Sequence, residues 1–301
     1  MKNSGDYTKF LNPKTANAIS SLELRARLIV EGFMLGLHKS PYRGFSAEFS
    51  DHMPYMPGES LKNIDWKVYA KIDKFFVKRF EEETNLKAYI IIDASSSMNY
   101  KSGNNISKLD YAISLASSFL YILINQSDAA GIVVFSDEIK KYYPPKASKF
   151  YLKQMLSDLS NLKLGEGICN FDVLNKIAAS IKRRGLIIFI SDFLDDKEQI
   201  LRKIKLFSSQ KNETIAFQIL DPSEIYLNYH SETIFVDMET KEKVSAHPYH
   251  IKKAYYDAVL SYISSLRIEC SKLRADFNLI ETGQSFDKAL VNYFKKRELL
   301  K

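Results

Sequence analysis

The sequence predicts an α/β protein: a doubly wound, mostly parallel sheet flanked by helices, preceded by a turn-rich N-terminal extension. Three observations carry that expectation. Short continuous apolar runs recur at residues 88–93, 131–135 and 186–190, as strands buried on both faces require. Between them lie segments whose apolar residues recur at helical spacing. Strand and helix alternate along the chain, which selects a parallel sheet with crossover helices over a meander.

Taken in order, residues 18–37 read as a helix, because Ile19, Leu22, Leu24, Leu28, Ile29 and Phe33 make a broad apolar face. Residues 40–58, SPYRGFSAEFSDHMPYMPG, hold Pro and Gly at intervals that interrupt any long helix and predict an ordered, turn-rich segment. Its aromatic residues Tyr42, Phe45, Phe49 and Tyr55, with the single tryptophan Trp66, are expected to form a satellite core over the main sheet, with a docking face as the alternative. The stretch from Asp65 through Lys78 reads as helix or strand. The run AYIIID at 88–93 predicts the first strand of the sheet. Residues 108–126 predict a helix, with Leu109, Ala112, Ile113, Ala116, Phe119, Leu120 and Leu123 on one face. A strand at 131–135, helices at 150–159 and 171–182, a strand at 186–190, a charged helix at 195–207 and a strand at 214–220 complete the alternation. The expected organisation is an N-terminal helix and turn-rich segment over 1–86, then an α/β domain over 87–301 that includes a C-terminal strand and helix.

Composition narrows the function. With 46% hydrophobic residues in 301, the chain is long and apolar enough to bury a full core, which excludes a disordered protein. Lys and Arg exceed Asp and Glu by 43 to 36, a net charge of +7. The basic runs, such as Lys140-Lys141 and Lys182-Arg183-Arg184, are short and scattered, so no nucleic-acid partner is expected. The first residues lack the apolar core of a secretory signal. The longest uncharged stretch, Tyr111 to Ser127, is interrupted by Ser, Asn and Gln and is too short and polar to span a bilayer. Cys169 and Cys270 form neither a disulfide framework nor a CxxC motif. A soluble cytoplasmic protein without an integral membrane segment is expected.

In doubly wound sheets, ligands gather beyond the carboxyl ends of the strands. The first strand ends in Asp93-Ala94-Ser95-Ser96-Ser97, and the strand at 186–190 ends in Ser191-Asp192. Asp93, Ser95, Ser97 and Asp192 would meet if the two strands are neighbours. An all-oxygen set of two carboxylates and two neutral hydroxyls suits a hard cation, Mg²⁺ first, with Mn²⁺ or Ca²⁺ as alternatives. Such an ion stays electrophilic toward a partner's Asp or Glu.

The runs IIIDASSSM, KLDYAISLASSFL, GIVVFS and LIIFISD resemble the von Willebrand factor A fold, whose metal-ion-dependent adhesion site uses Asp-x-Ser-x-Ser. KSPYRGFSAEFSDHMPYMPGESLKNIDWKVYAK, FVDMETKEKV, AYYDAV and ETGQSFDKALVNYFKKR resemble the bacterial "domain of unknown function 58" family, over residues 29 to 300. By that resemblance Asp93, Ser95 and Ser97 are the adhesion-site triplet and Asp192 the second carboxylate. The family's usual Thr ligand falls where this chain has Cys169-Asn170-Phe171. A thiol is a poor Mg²⁺ ligand, so either the Asn170 amide oxygen or a water is expected in its place, or metal affinity is weakened. Met53 stands where Arg is common, and Glu59 where Asp is common. The resemblance implies binding without catalysis: an adaptor in protein complex assembly or maturation, working with a MoxR-type AAA+ ATPase.

The competing enzymatic reading is a Mg²⁺-dependent phosphatase of haloacid dehalogenase type with Asp93 as nucleophile. That chemistry needs an acid two residues on, where this chain has Ser95. Nucleotide-binding and hydrolase motifs are absent, and Gly165-Glu-Gly167 lacks the third Gly of a dinucleotide fingerprint. His247-Pro-Tyr-His250 is expected to be a loop and helix cap, not a zinc site.

Overall fold

Six strands form the central sheet in the order β10-β7-β6-β3-β4-β5. These are β3 (Lys87–Asp93), β4 (Ala129–Phe135), β5 (Ile139–Lys146), β6 (Leu186–Ser191), β7 (Glu213–Leu220) and β10 (Ala275–Glu281). All pair in parallel except β5, which runs antiparallel to β4. The computed structural model describes residues 7–39, 53–54, 76–77, 87–162, 171–181, 185–208, 212–229, 231–238 and 240–298. Two units result, 1–36 with 86–301 and, separately, 37–85.

The continuous apolar runs behave as their composition requires. β6 is buried along its whole length, and β3, β4 and β7 beyond their first residue. β5 is different: an alternating edge strand carrying Pro144 and Pro145, which an edge tolerates because the missing N–H groups need not face a neighbour. Its register against β4 slips near Ala130, where Tyr143 O comes so close that a Cβ on Gly131 would sit 2.3 Å from it.

Helices cover both faces. α1 (Pro13–Asn17) and α2 (Leu22–Lys39) precede the sheet, and α3 (Lys108–Asn125) follows β3. α4 (Lys149–Ser160), α5 (Phe171–Ser180), α6 (Lys197–Ser208) and the short α7 (Pro222–Tyr226) lead to the long α8 (Pro248–Lys272) and the terminal α9 (Asp287–Glu298). α5, α6 and α8 bury Leu174, Ile177, Ile204, Phe207, Ile263 and Leu266 against one face, around Phe189 and Ile187 of β6. On the other face α3 is buried on nearly every side, as a helix sandwiched between layers must be. Its outer cover includes α2: Arg25 reaches Ser114 at 3.2 Å, and Phe33 stacks on Phe294 of α9 at 5.5 Å. The N-terminal helices therefore belong with the α/β body, although the sequence reading grouped them with the segment that follows.

The separate unit shows an antiparallel pairing of β1 (Met53–Pro54) with β2 (Phe76–Val77). Tyr42, Phe45, Phe49, Tyr55 and Trp66 lie outside the described residues. A small hairpin, β8 (Thr233–Val236) and β9 (Lys243–Ala246), precedes α8. No described helix is long and apolar enough to cross a membrane.

Candidate metal centre

β3 and β6 are neighbours in parallel register, Ile92 opposite Ile190, so Asp93 and the Ser191-Asp192 pair leave the sheet side by side. This is where the winding reverses, since the chain passes from β3 to β4 on one side and later returns to β6 on the other. Asp93 is 6% exposed. Its Oδ1 accepts from the Ser95 backbone N–H at 2.9 Å, the local turn that an Asp favours, and its Oδ2 accepts from Ser191 Oγ at 2.8 Å. Ser95 precedes a 3-10 turn over Ser96–Asn99, which brings the Ser95 and Ser97 hydroxyls to 3.2 Å of each other. Ser97 in turn hydrogen-bonds the Asp192 carboxylate. Phe193 takes a left-handed backbone, φ +48°, and turns the chain so that Leu194 N–H reaches Asp192 Oδ1 at 3.3 Å. Asp93, Ser95, Ser97 and Asp192 are thus brought together. Asn170 and Cys169 lie outside the described residues.

Two further residues complete the centre, and sequence reasoning passed over both. Lys108, the first residue of α3, is fully buried and donates at 2.7 Å to both Asp192 Oδ2 and Glu224 Oε1. Glu224 is the third residue of α7, where it closes a capping box: Asp221 N–H donates to Glu224 Oε2 at 2.8 Å, and Asp221 accepts from Ser223 N–H. A lysine opening a helix, and a glutamate three residues after a cap aspartate, look ordinary in a sequence. Only the fold brings both to Asp192.

The charges are unequally matched. Burial raises the Asp93 carboxyl above its ordinary range, and the nearby Asp192 charge adds to this, because its hydrogen-bond partners are all neutral. Burial also opposes ionisation of Asp192, but the Lys108 ammonium outweighs it and holds that carboxyl below its usual range. Glu224 is raised by burial, which exceeds the pull of Lys108. Lys108 itself would be lowered by burial, yet its two carboxylates raise it, so it remains charged. Of the three buried acids, Lys108 pairs with Asp192 and Glu224, and Asp93 has no share of its charge.

The donor set fits a hard cation. Each carboxylate oxygen has two acceptor positions; the Asp192 carboxylate accepts from Leu194 N–H, Lys108 and Ser97, so at least one of its four positions remains. Adjacent ligands of octahedral Mg²⁺, at 2.0–2.1 Å from the ion, lie about 2.9 Å apart, close to the separation of the two hydroxyls. A cavity of about 20 Å³ opens here, lined by Asp93, Ser95, Ser191 and Asp192, by Lys203 paired with Asp195 at 2.7 Å, and by apolar side chains. The described residues hold no cluster of three His, Cys, Asp or Glu ligands, so any ion would depend on these hydroxyls and on water.

Other candidates resolve differently. His247 is the cap residue of α8, with Pro248 in the first turn; its ring makes an edge contact with His250 at 6.0 Å. Burial pushes the Cys270 thiol up to about 12, which leaves it unreactive inside α8.

The model of a family described as "Protein of unknown function DUF58" matches residues 51–261. The chain belongs to the DUF58 family. This DUF58 chain is 22% identical over 232 residues to an uncharacterized protein of Mycobacterium tuberculosis, covering 76% of this chain and 72% of the relative. Similar solved structures include the conserved hypothetical protein BatB from Bacteroides thetaiotaomicron, 16% identical, covering 70% of this chain and 99% of that one, with a TM-score of 0.46. Another is the vWF domain of the type V pili tip protein Mfa5 from Porphyromonas gingivalis, 15% identical, covering 71% and 95%, with a TM-score of 0.37. The DUF58 chain has an α/β fold with a mostly parallel sheet, one antiparallel edge and helices on both faces.

Proposed function

We propose that this DUF58 protein is a non-catalytic, Mg²⁺-dependent protein-interaction adaptor that works in the cytoplasm with a MoxR-type AAA+ ATPase in protein complex assembly or maturation. The observation that carries the reading is Asp93: a buried carboxylate, held only by neutral donors, beside a second buried carboxylate and two hydroxyls. Asp93, Ser95, Ser97 and Asp192 would hold the ion, with Asn170 as the fifth candidate. Mg²⁺ bound there would supply a coordination position for a carboxylate of the partner. The neutral hydroxyls leave that position electrophilic, and the buried Lys108 reduces the negative charge that would repel an incoming acid.

The ATPase assignment follows the sequence resemblance to the family. A phosphatase reading gains no support, because the position two residues after Asp93 carries the Ser95 hydroxyl, directed at Ser97, and a hydroxyl is no proton donor to a leaving group near neutral pH. The test is affinity capture from native extract in Mg²⁺, comparing wild type with Asp93→Ala. Retention of an AAA+ ATPase by wild type and its loss with the variant is expected. Equal retention by both proteins, or no ATPase with either, would reject the adaptor mechanism.

A further inference from the structure

The hairpin of β8 and β9 stands out into solvent: no described residue from Ser231 to Ala246 is buried. Two strands alone are marginal in water, and a further strand or a packed face is what makes such a ribbon stable. Phe235 meets the Tyr229 ring edge-on at 5.4 Å, which ties one face of the hairpin to the chain before it. The opposite face carries Ile234 and Val236, 65% and 48% exposed.

The register fixes which backbone groups face outward. Asp237 N–H donates to Glu242 O at 2.9 Å, so these two form a hydrogen-bonded pair. Bonded and non-bonded pairs alternate along an antiparallel ladder, which makes Phe235 with Val244 the next bonded pair. Ile234 and Val236 fall in the non-bonded positions, opposite Ser245 and Lys243, and turn their N–H and C=O groups away from β9. Among the described residues no backbone group meets them there. The edge is also unguarded. Proteins blunt free edges with proline, lysine or a bulge: β5 carries Pro144 and Pro145, and β9 turns out Lys243. β8 has none of these and pairs without a register shift. An apolar edge with open backbone donors and acceptors is complemented by another extended strand.

We propose that this strand is β8 of a second copy of the chain, paired antiparallel about a two-fold axis at Phe235. β8 is its own complement. With the two Phe235 residues opposite each other, Ile234 of each copy lies opposite Val236 of the other, and each such pair exchanges two backbone hydrogen bonds. The Ile234 and Val236 side chains of both copies then meet on one face, the cross-strand contact that stabilises a sheet. No like charges are opposed, because Glu232 falls against Met238 and Asp237 against Thr233. Shifting the axis by one residue would set Val236 against Glu232 or Ile234 against Met238, so the register centred on Phe235 is the one that pairs the two aliphatic residues. A contact this short falls below a standard interface, and the dimer is therefore weak and concentration-dependent.

The test is sedimentation equilibrium of the full chain over rising concentration, in EDTA so that the metal centre plays no part. Wild type is expected to show a reversible monomer–dimer equilibrium. Val236→Pro removes an N–H that bonds nothing within the hairpin, and is expected to abolish the dimer with the melting temperature unchanged. Lys243→Pro makes the same change on the outer edge of β9 and is expected to leave the dimer intact. Ile234→Lys, which keeps the backbone groups but sets a charge into the aliphatic cluster, is expected to abolish the dimer as well. Cross-linking reads the register. Phe235→Cys is expected to give a disulfide-linked dimer under mild oxidation, because the Cα atoms of a non-bonded pair lie about 4.5 Å apart, within disulfide reach. Glu232→Cys and wild type are expected to give none. A chain that stays monomeric at about 1 mM, the weak end of measurable association, would overturn the proposal and leave the edge to a strand of another protein. So would a dimer that survives both Val236→Pro and Ile234→Lys, one lost equally in Lys243→Pro, or a cross-link through Glu232→Cys in place of Phe235→Cys.

Discussion

Removing the buried ammonium of Lys108 is the sharpest perturbation of the charge arrangement at the sheet's carboxyl edge. Lys108→Met keeps most of the side chain's apolar volume but leaves Asp192 and Glu224, each bonded to it at 2.7 Å, without their cation. Breaking a buried ion pair by deleting one partner costs about 3–5 kcal/mol. Lys108 is fully buried and serves two acids, so the upper part of that range applies. For a domain of this size each kcal/mol moves the melting temperature by about 2–4 °C, so a fall of roughly 10 °C or more is expected in EDTA. Urea denaturation should show a lower midpoint with an unchanged slope. Mg²⁺ should then recover more stability in Lys108→Met than it adds to wild type, because Asp192 Oδ2 is no longer engaged by the lysine. A loss below about 1 kcal/mol, well short of the burial penalty, would refute the view that Lys108 neutralises this cluster. So would a Mg²⁺ response no larger than that of wild type.

Three further outcomes follow from packing. Gly131→Ala places a Cβ 2.3 Å from Tyr143 O, where the β4–β5 register slips, and should cost about 3 kcal/mol or prevent folding, read by circular dichroism and urea melts. Phe33→Ala removes the ring stacked on Phe294 and should destabilise the chain by about 3–5 kcal/mol; a cost near zero would mean that the N-terminal helix is not part of the core. Cys270, buried in α8 with its thiol pushed up to about 12 by burial, should remain unlabelled by iodoacetamide in the native protein and react fully in urea, as read by peptide mass spectrometry.

The parts of the fold legible in the sequence are those with a strong period. The runs at 88–93, 131–135 and 186–190 are strands because continuous β-branched and aliphatic residues suit burial on both faces, and Leu109, Ala112, Ala116 and Phe119 mark α3 by their spacing. β5 escaped because Pro144, Pro145 and paired lysines read as loop, whereas an edge strand tolerates them. α8 carries many exposed residues and only a few buried ones, so its face is faint. At the site, Asp93, Ser95, Ser97 and Asp192 were legible because they immediately follow strands, and strand ends are where a doubly wound sheet gathers its ligands. Lys108 and Glu224 were not, because each reaches the centre from a helix start distant in sequence, Lys108 meeting Asp192 and Glu224 only through the fold.

The central claim, that Asp93 anchors a divalent cation, is tested most directly by titrating Mg²⁺ calorimetrically into the EDTA-stripped, dialysed full chain and into Asp93→Ala. The account predicts one saturable site in wild type and none in the variant, with both proteins folded by circular dichroism. No saturable binding to wild type, or equal binding to Asp93→Ala, would contradict it.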